Sequence, residues 1–256
     1  MNKKSKYTKI LVITGVILVL AIVQTLPVFF MKPWGSKILS NAAIILNYQP
    51  GDEDGAHEVF ELLKDKSDFI YDKMDYVREE PVKVYLYKTQ FQLAIREAGL
   101  ITIAFAPPWH IGDSHNGNIM MLSPNTPIEA HTHDSILTAT LHELVHSIVY
   151  RINDDLSYFW DNGLATYLAE QFPEPEYYDI DKIPSIQDMH TENGLKFGEM
   201  GGYAYSYFYI QYLDQTYGWD KIVAYAKGEG DYEQIFNQSE EEIYDEWVQY
   251  LAEMKN

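Results

Sequence analysis

Ile10 to Met31 is a run of 22 residues without a charge, interrupted only by Thr14, Gly15, Gln24, Thr25 and Pro27. As a helix it would be about 33 Å long, enough to cross a bilayer core of about 30 Å. Lys3, Lys4, Lys6 and Lys9 precede it. The positive-inside rule then puts the N-terminus in the cytoplasm and everything after Lys32 outside. A cleaved signal peptide has a shorter apolar core, and no clear small-x-small cleavage site stands before Trp34, so an uncleaved anchor is expected. A buried soluble helix normally keeps a polar face, and this run has none.

Beyond the anchor, residues 33–256 read as one domain with no repeat and no Ser- or Gly-rich linker. From Asp54 to Asp75, Val59, Leu62, Leu63, Phe69, Ile70 and Met74 form a helical stripe between charged positions. Pro81 introduces Val82-Lys83-Val84-Tyr85-Leu86-Tyr87, an alternating strand. A short helix over 89–98 ends at Gly99. Ile101–Ala106 reads as a second strand and Asn118–Leu122 as a third, with Pro, Gly and Asn in the turns. From Asp134, the expected N-cap of a helix reaching Arg151, the pattern is helical to the end. Ser239 and Glu242 form a capping box for the closing helix. Strands first and helices afterwards indicate an α+β fold, a small mixed sheet packed on a mainly helical half.

Charge and cysteine content narrow the chemistry. Five of the 19 basic residues lie in 1–32, which leave 14 against 38 acidic residues in the rest, a balance of −24. So acidic a body does not bind nucleic acid through phosphates. Cys is absent, so any metal must be held by His, carboxylates or other oxygen donors.

His142-Glu143-Leu144-Val145-His146 lies inside the predicted 134–151 helix. A spacing of four residues puts both imidazoles on one helix face, one turn apart, where they can share a metal ion. Glu143 stands beside that ion, placed to take a proton from its bound water.

The motif, together with the segments downstream of it, resembles a gluzincin zinc metallopeptidase of the peptidase MA-like group. These enzymes take a third ligand from a Glu on the next helix, in a pattern like Trp-hydrophobic-x-Glu-Gly-x-Ala. The corresponding stretch is Phe159-Trp160-Asp161-Asn162-Gly163-Leu164-Ala165-Thr166-Tyr167. Gly163 and Ala165 fall in register, and Asn162 stands where the Glu would be. In the aminopeptidase branch a Tyr precedes a segment like Tyr212-Leu213 to Gly218 and binds the tetrahedral oxyanion. That resemblance falls on Tyr203. The closing segment Ile235 to Leu251 also resembles the group, and the match covers roughly residues 55–251.

The resemblance implies a Zn²⁺ cofactor, metal ligation by His142 and His146, Glu143 as general base and Tyr203 as oxyanion donor. The third ligand is left open between Asn162, whose neutral carbonyl is a weak zinc donor, Asp161 beside it, and Glu170. Register favours Asn162.

Other polar groups have plainer readings. His131 and His133 are expected to be solvated or capping. Trp109-His110 and Asp113-Ser114-His115 are expected in an exposed loop, and Glu199 is a spare carboxylate. Most rings between Tyr203 and Tyr209 should be core.

The sequence thus points to a membrane-anchored, extracytoplasmic metallopeptidase acting on a peptide or protein substrate. That substrate would pair with Ile101–Ala106 or Asn118–Leu122 as a sheet edge. The alternative is a catalytically degenerate cell-surface domain that binds a peptide or cell-wall partner. An intramembrane protease is disfavoured, because the motif lies more than a hundred residues past the apolar span. Substrate identity and oligomeric state are not encoded in these patterns.

Overall fold

The computed structural model describes residues 3–104, 109–174 and 178–254. The apolar run forms helix α1 (Lys3–Thr25), followed by a 3-10 turn over Leu26–Phe29 where Pro27 removes a backbone donor. Lys9–Phe29 is long and apolar enough to cross a membrane, with a mean hydropathy of 2.5. Its side chains are exposed along almost all of its length.

A five-stranded mixed sheet comes next. Strands β1 (Lys37–Ser40) and β2 (Ile44–Tyr48) form an antiparallel hairpin that the alternation pattern does not announce. Helix α2 (Glu53–Lys73) crosses to β3 (Val82–Tyr87), which runs parallel to β2. Val82, Val84 and Leu86 are buried on one face of β3 while Lys83 is exposed, as period-two patterning requires. Helix α3 (Gln90–Ala98) leads to a second hairpin, β4 (Gly112–His115) and β5 (Asn118–Leu122), with β5 parallel to β3. The order is β1-β2-β3-β5-β4, so β1 and β4 are the edges.

Four sequence expectations need correction. The strand expected at Ile101–Ala106 is a 3-10 turn over Leu100–Ala104, and Phe105 and Ala106 lie outside the described residues. The backbone donors of this turn are taken locally and by α1. Ile101 N donates to the Gln24 side chain at 2.7 Å, and Thr102 N donates to Gly99 O at 3.2 Å. Asn118–Leu122 is a strand but an interior one, covered by β4. Gly112–His115, read as an exposed loop, is the edge. Finally, the helix carrying the motif is capped by Thr132 rather than Asp134. The Thr132 hydroxyl accepts from Ser135 N at 3.1 Å, and the Ser135 hydroxyl accepts from Thr132 N at 3.0 Å.

The helical half begins with α4 (His133–Ile152) and α5 (Tyr158–Leu168). Short helices α6 (Ile186–Met189) and α7 (Gly194–Glu199) lead to α8 (Gly202–Tyr217). Helices α9 (Trp219–Ala226), α10 (Tyr232–Phe236) and α11 (Glu240–Met254) close the chain. Ser239 and Glu242 cap α11 reciprocally, as expected. Ile243, Trp247 and Leu251, four residues apart, are buried, and the Trp247 ring lies against Phe159, Tyr205 and Tyr209. Tyr205, Tyr207, Phe208 and Tyr209 are core, as expected of that aromatic run.

Helices α5 and α8 pack at unusually close range because Gly163 has no side chain. A Cβ there would stand 2.8 Å from the Ser206 carbonyl oxygen and 2.8 Å from Ile210 Cγ1. The backbone contact cannot yield without moving a helix. Overpacking costs about 1–3 kcal/mol, and the gain in helix propensity offsets about 1 kcal/mol. Gly163→Ala should therefore lower stability by up to about 2 kcal/mol, shifting Tm down by as much as about 8 °C in a domain this size. Gly198→Ala, with nothing within 4 Å of its added methyl, should not lower it. Equal Tm values for the two variants would contradict the close approach.

Candidate functional site

Helix α4 presents two adjacent stripes. Glu143, Ser147 and Arg151 face the β4–β5 hairpin. The Ser147 hydroxyl and Arg151 guanidinium both donate to the Gly117 carbonyl, at 2.8 and 2.6 Å. Hydrogen bonds of this kind contribute about 1–3 kcal/mol each. They fix the hairpin's turn, where Asn116 and Gly117 have φ of 50° and 65° and His115 pairs with Asn118. A two-residue turn of that hand needs positive φ at both positions, which suits Asn-Gly. The edge strand then runs directly over Glu143. A Cβ on Gly112 would lie 3.0 Å from Glu143 Oε1 and 2.3 Å from Met121 Sδ.

The second stripe carries His142 and His146, whose Nε2 atoms lie 2.9 Å apart with the rings nearly perpendicular. Their outer nitrogens are both held. His142 Nδ1 donates to the Gln171 side-chain oxygen at 2.8 Å, so its Nε2 carries the lone pair. His146 Nδ1 lies 2.8 Å from Asp161 Oδ1, a charge contact rather than an aligned hydrogen bond. Holding the outer nitrogens in this way orients both imidazoles for a common cation. Two lone pairs so placed repel one another unless a cation, a proton or a metal ion, lies against both. Burial, and then the neighbouring His146, lower His142 to about 3. Burial alone would lower His146 too, but Asp161, Glu143 and Asp113 outweigh it and raise His146 to about 9.

Asn162, one turn into α5, is buried and interacts with His142. Its Nδ2 donates to the Tyr158 carbonyl at 2.9 Å, which leaves the side-chain oxygen as the atom free to serve the cleft. Asp161 is occupied behind His146. Glu170 lies past the end of α5 in a left-handed conformation, exposed and outside the cleft lining, and Glu199 is exposed as well. Among the described residues no three His, Cys, Asp or Glu side chains converge on one point. The side chain beside His142 on α5 is an amide, Asn162. Two imidazole nitrogens and one amide oxygen make a donor set that suits a borderline metal such as zinc, with weaker retention than a set containing a carboxylate.

Glu143 is buried, and its Oε2 meets no protein partner. Burial first, then the charges of Asp113 and Asp161, raise its carboxyl to about 8 against the opposing pull of His146. Asp113, on the edge strand, is itself pushed up to about 6 by burial and by Glu97. Tyr203 enters the cleft from the start of α8, its ring 6.2 Å from that of His142. Burial, and then Tyr158, with which its hydroxyl interacts, raise it above the ordinary tyrosine range.

His142, Glu143, His146, Asp161, Asn162 and Tyr203 therefore line one cleft of about 330 Å³, and Glu170, the remaining candidate ligand, lies outside it. Sequence reasoning missed Gln171, Tyr158, Gly112 and the pairing of Glu97 with His110, a cleft-lining residue, at 2.5 Å. The Asn116-Gly117 turn was a readable signal for the edge strand. Gln171 had no comparable signal, because the chain reverses at Glu170 before reaching back. His131 and His133 stay out of the cleft, binding the Trp109 carbonyl at 2.7 Å and Glu58 at 2.9 Å.

Gly112→Ala should cost about 1–3 kcal/mol in urea unfolding, because the added methyl displaces Met121 and crowds the Glu143 carboxylate. An unchanged midpoint would contradict the close passage of the edge strand over Glu143. Compared with protein-family models, curated proteins and solved structures, the chain finds no match.

Proposed function

We propose that the chain is a membrane-anchored zinc metallopeptidase of the gluzincin type, with its domain outside the cytoplasmic membrane. The observation that carries this reading is the convergence of His142 and His146 Nε2 at 2.9 Å, beside a buried Glu143 oxygen with no protein partner. A structural metal site has no need of such an oxygen, whereas hydrolysis needs a base next to the attacking water. His142, His146 and the Asn162 oxygen would hold Zn²⁺, which supplies Lewis acidity toward a carbonyl and a water. Glu143 takes the proton of the attacking water and returns it to the leaving amine. Tyr203 would donate to the oxygen that gains charge, its buried, protonated hydroxyl turning from Tyr158 to do so. The free edge of β4 offers backbone groups to an extended peptide, which would lay its scissile bond across α4.

Two sets of variants test this. Glu143→Gln keeps the shape and removes the base, so zinc content should persist while peptide-library hydrolysis falls about 10²–10⁴-fold. Full activity in that variant would overturn the mechanism. For the third ligand, Asn162→Glu adds a charge–charge attraction and should slow zinc loss to a chelator. Asn162→Ala should speed that loss. Asp161→Ala should change it less, since Asp161 acts through the outer nitrogen of His146. Loss of zinc on Asp161→Ala together with a silent Asn162→Ala would exchange the two roles. A wild-type chain that binds no zinc would favour the degenerate binding domain.

A further inference from the structure

The junction between α1 and the domain is rigidly tied. Gln24, inside the apolar span, donates through Nε2 to the Ala98 carbonyl at 2.9 Å and accepts from Ile101 N at 2.7 Å. Gly99, with φ of 84°, makes this approach possible, since a Cβ there would lie 2.2 Å from the Gln24 carbonyl oxygen. Just beyond the span, Arg96 Nε donates to the Phe30 carbonyl at 3.1 Å, and the Tyr87 hydroxyl donates to the Met31 carbonyl at 2.6 Å. The C-terminal end of α3 is thus clamped to a residue that belongs to the membrane span.

Depth follows from this clamp. Gln24 stands five residues before Phe29, the end of the span, or roughly 8 Å inside its outer limit at helical rise. The residues bonded to it must lie at a similar level. There the 3-10 turn exposes apolar side chains, with Leu100 37% and Ile101 60% accessible. Phe30 and Trp34, just after the span, are 62% and 95% accessible. Aromatic residues at that level are typical of the headgroup region, and apolar side chains of interfacial elements commonly sink about 5–10 Å below it.

We infer that the 3-10 turn at Leu100 and Ile101 is a second membrane contact, dipping into the outer leaflet and fixing the domain's orientation on the bilayer. The occupant of this apolar corner is lipid, because the surface is continuous with the span through Gln24. The inference rests on α1 being a membrane anchor. It also bears on substrate class: Glu97, three residues before Leu100, pairs with His110, which lines the cleft. The clamped corner therefore turns that wall of the cleft toward the membrane, which favours membrane-proximal peptide segments.

The chain has no Cys, so single-cysteine variants can be labelled directly. Full-length Ile101→Cys, Val77→Cys and Val16→Cys are reconstituted in phosphatidylcholine–phosphatidylglycerol vesicles and labelled with an environment-sensitive fluorophore. Lipids with spin-labelled chains then serve as quenchers. Val77 is 83% accessible and precedes β3, at the end of that strand away from Tyr87. Expected is strong quenching and a blue shift at position 101, with neither at position 77. Position 16, mid-span, reports the anchor alone. Quenching at 16 but not at 101 would overturn the second contact and leave the anchor standing. No quenching at 16 would overturn the anchor, and the second contact with it.

Discussion

The pitch of one helix governs this structure. On α4, positions four apart share a stripe, so Glu143, Ser147 and Arg151 form one and His142 and His146 form the next. The first stripe grips the β4–β5 hairpin through the Gly117 carbonyl, and the second meets α5 and the chain just after it through Asp161, Asn162 and Gln171. Because α4 lies between sheet and helices, Glu143 and the two imidazoles are held relative to the edge strand and to Asn162 together. A shift of either neighbour would separate the groups that the proposed mechanism needs side by side.

The glycines at this junction follow from the same constraint. Gly112 lets the edge strand pass over Glu143, and Gly163 lets α5 sit against α8. Around the imidazoles the chain places Asp161, Asp113 and Glu143, whose charges act on His146. With Asn162 as the proposed third ligand, a bound zinc would keep more net positive charge than beside a carboxylate, and these acids would supply part of the compensation.

Elements with strong periodicity were legible in the sequence: the apolar span, α2, β3, β5, α4 and the capping of α11. The shared helix face of His142 and His146 was legible as well, because a local spacing on a helix determines which side chains lie together. What escaped the sequence depended on distant partners. Gly-Asp-Ser-His carries no hydrophobic alternation, so β4 is recognisable only through its Asn-Gly turn and its place on β5. Leu100 to Ala104 has the β-branched composition of a strand, yet Gln24, 77 positions earlier than Ile101, takes the donor that a ladder would need. Gln171 reaches His142 only because the chain reverses after α5. No window of sequence contains that information.

The central claim is that His142 and His146 hold a zinc ion in the intact protein. Metal analysis of the purified full-length chain, combined with X-ray absorption at the zinc edge, tests it most directly. The account predicts one zinc per chain, bound by two imidazole nitrogens and by oxygen at about 2.0–2.2 Å, and lost on His142→Ala. Zinc at substoichiometric levels that His142→Ala leaves unchanged would contradict it.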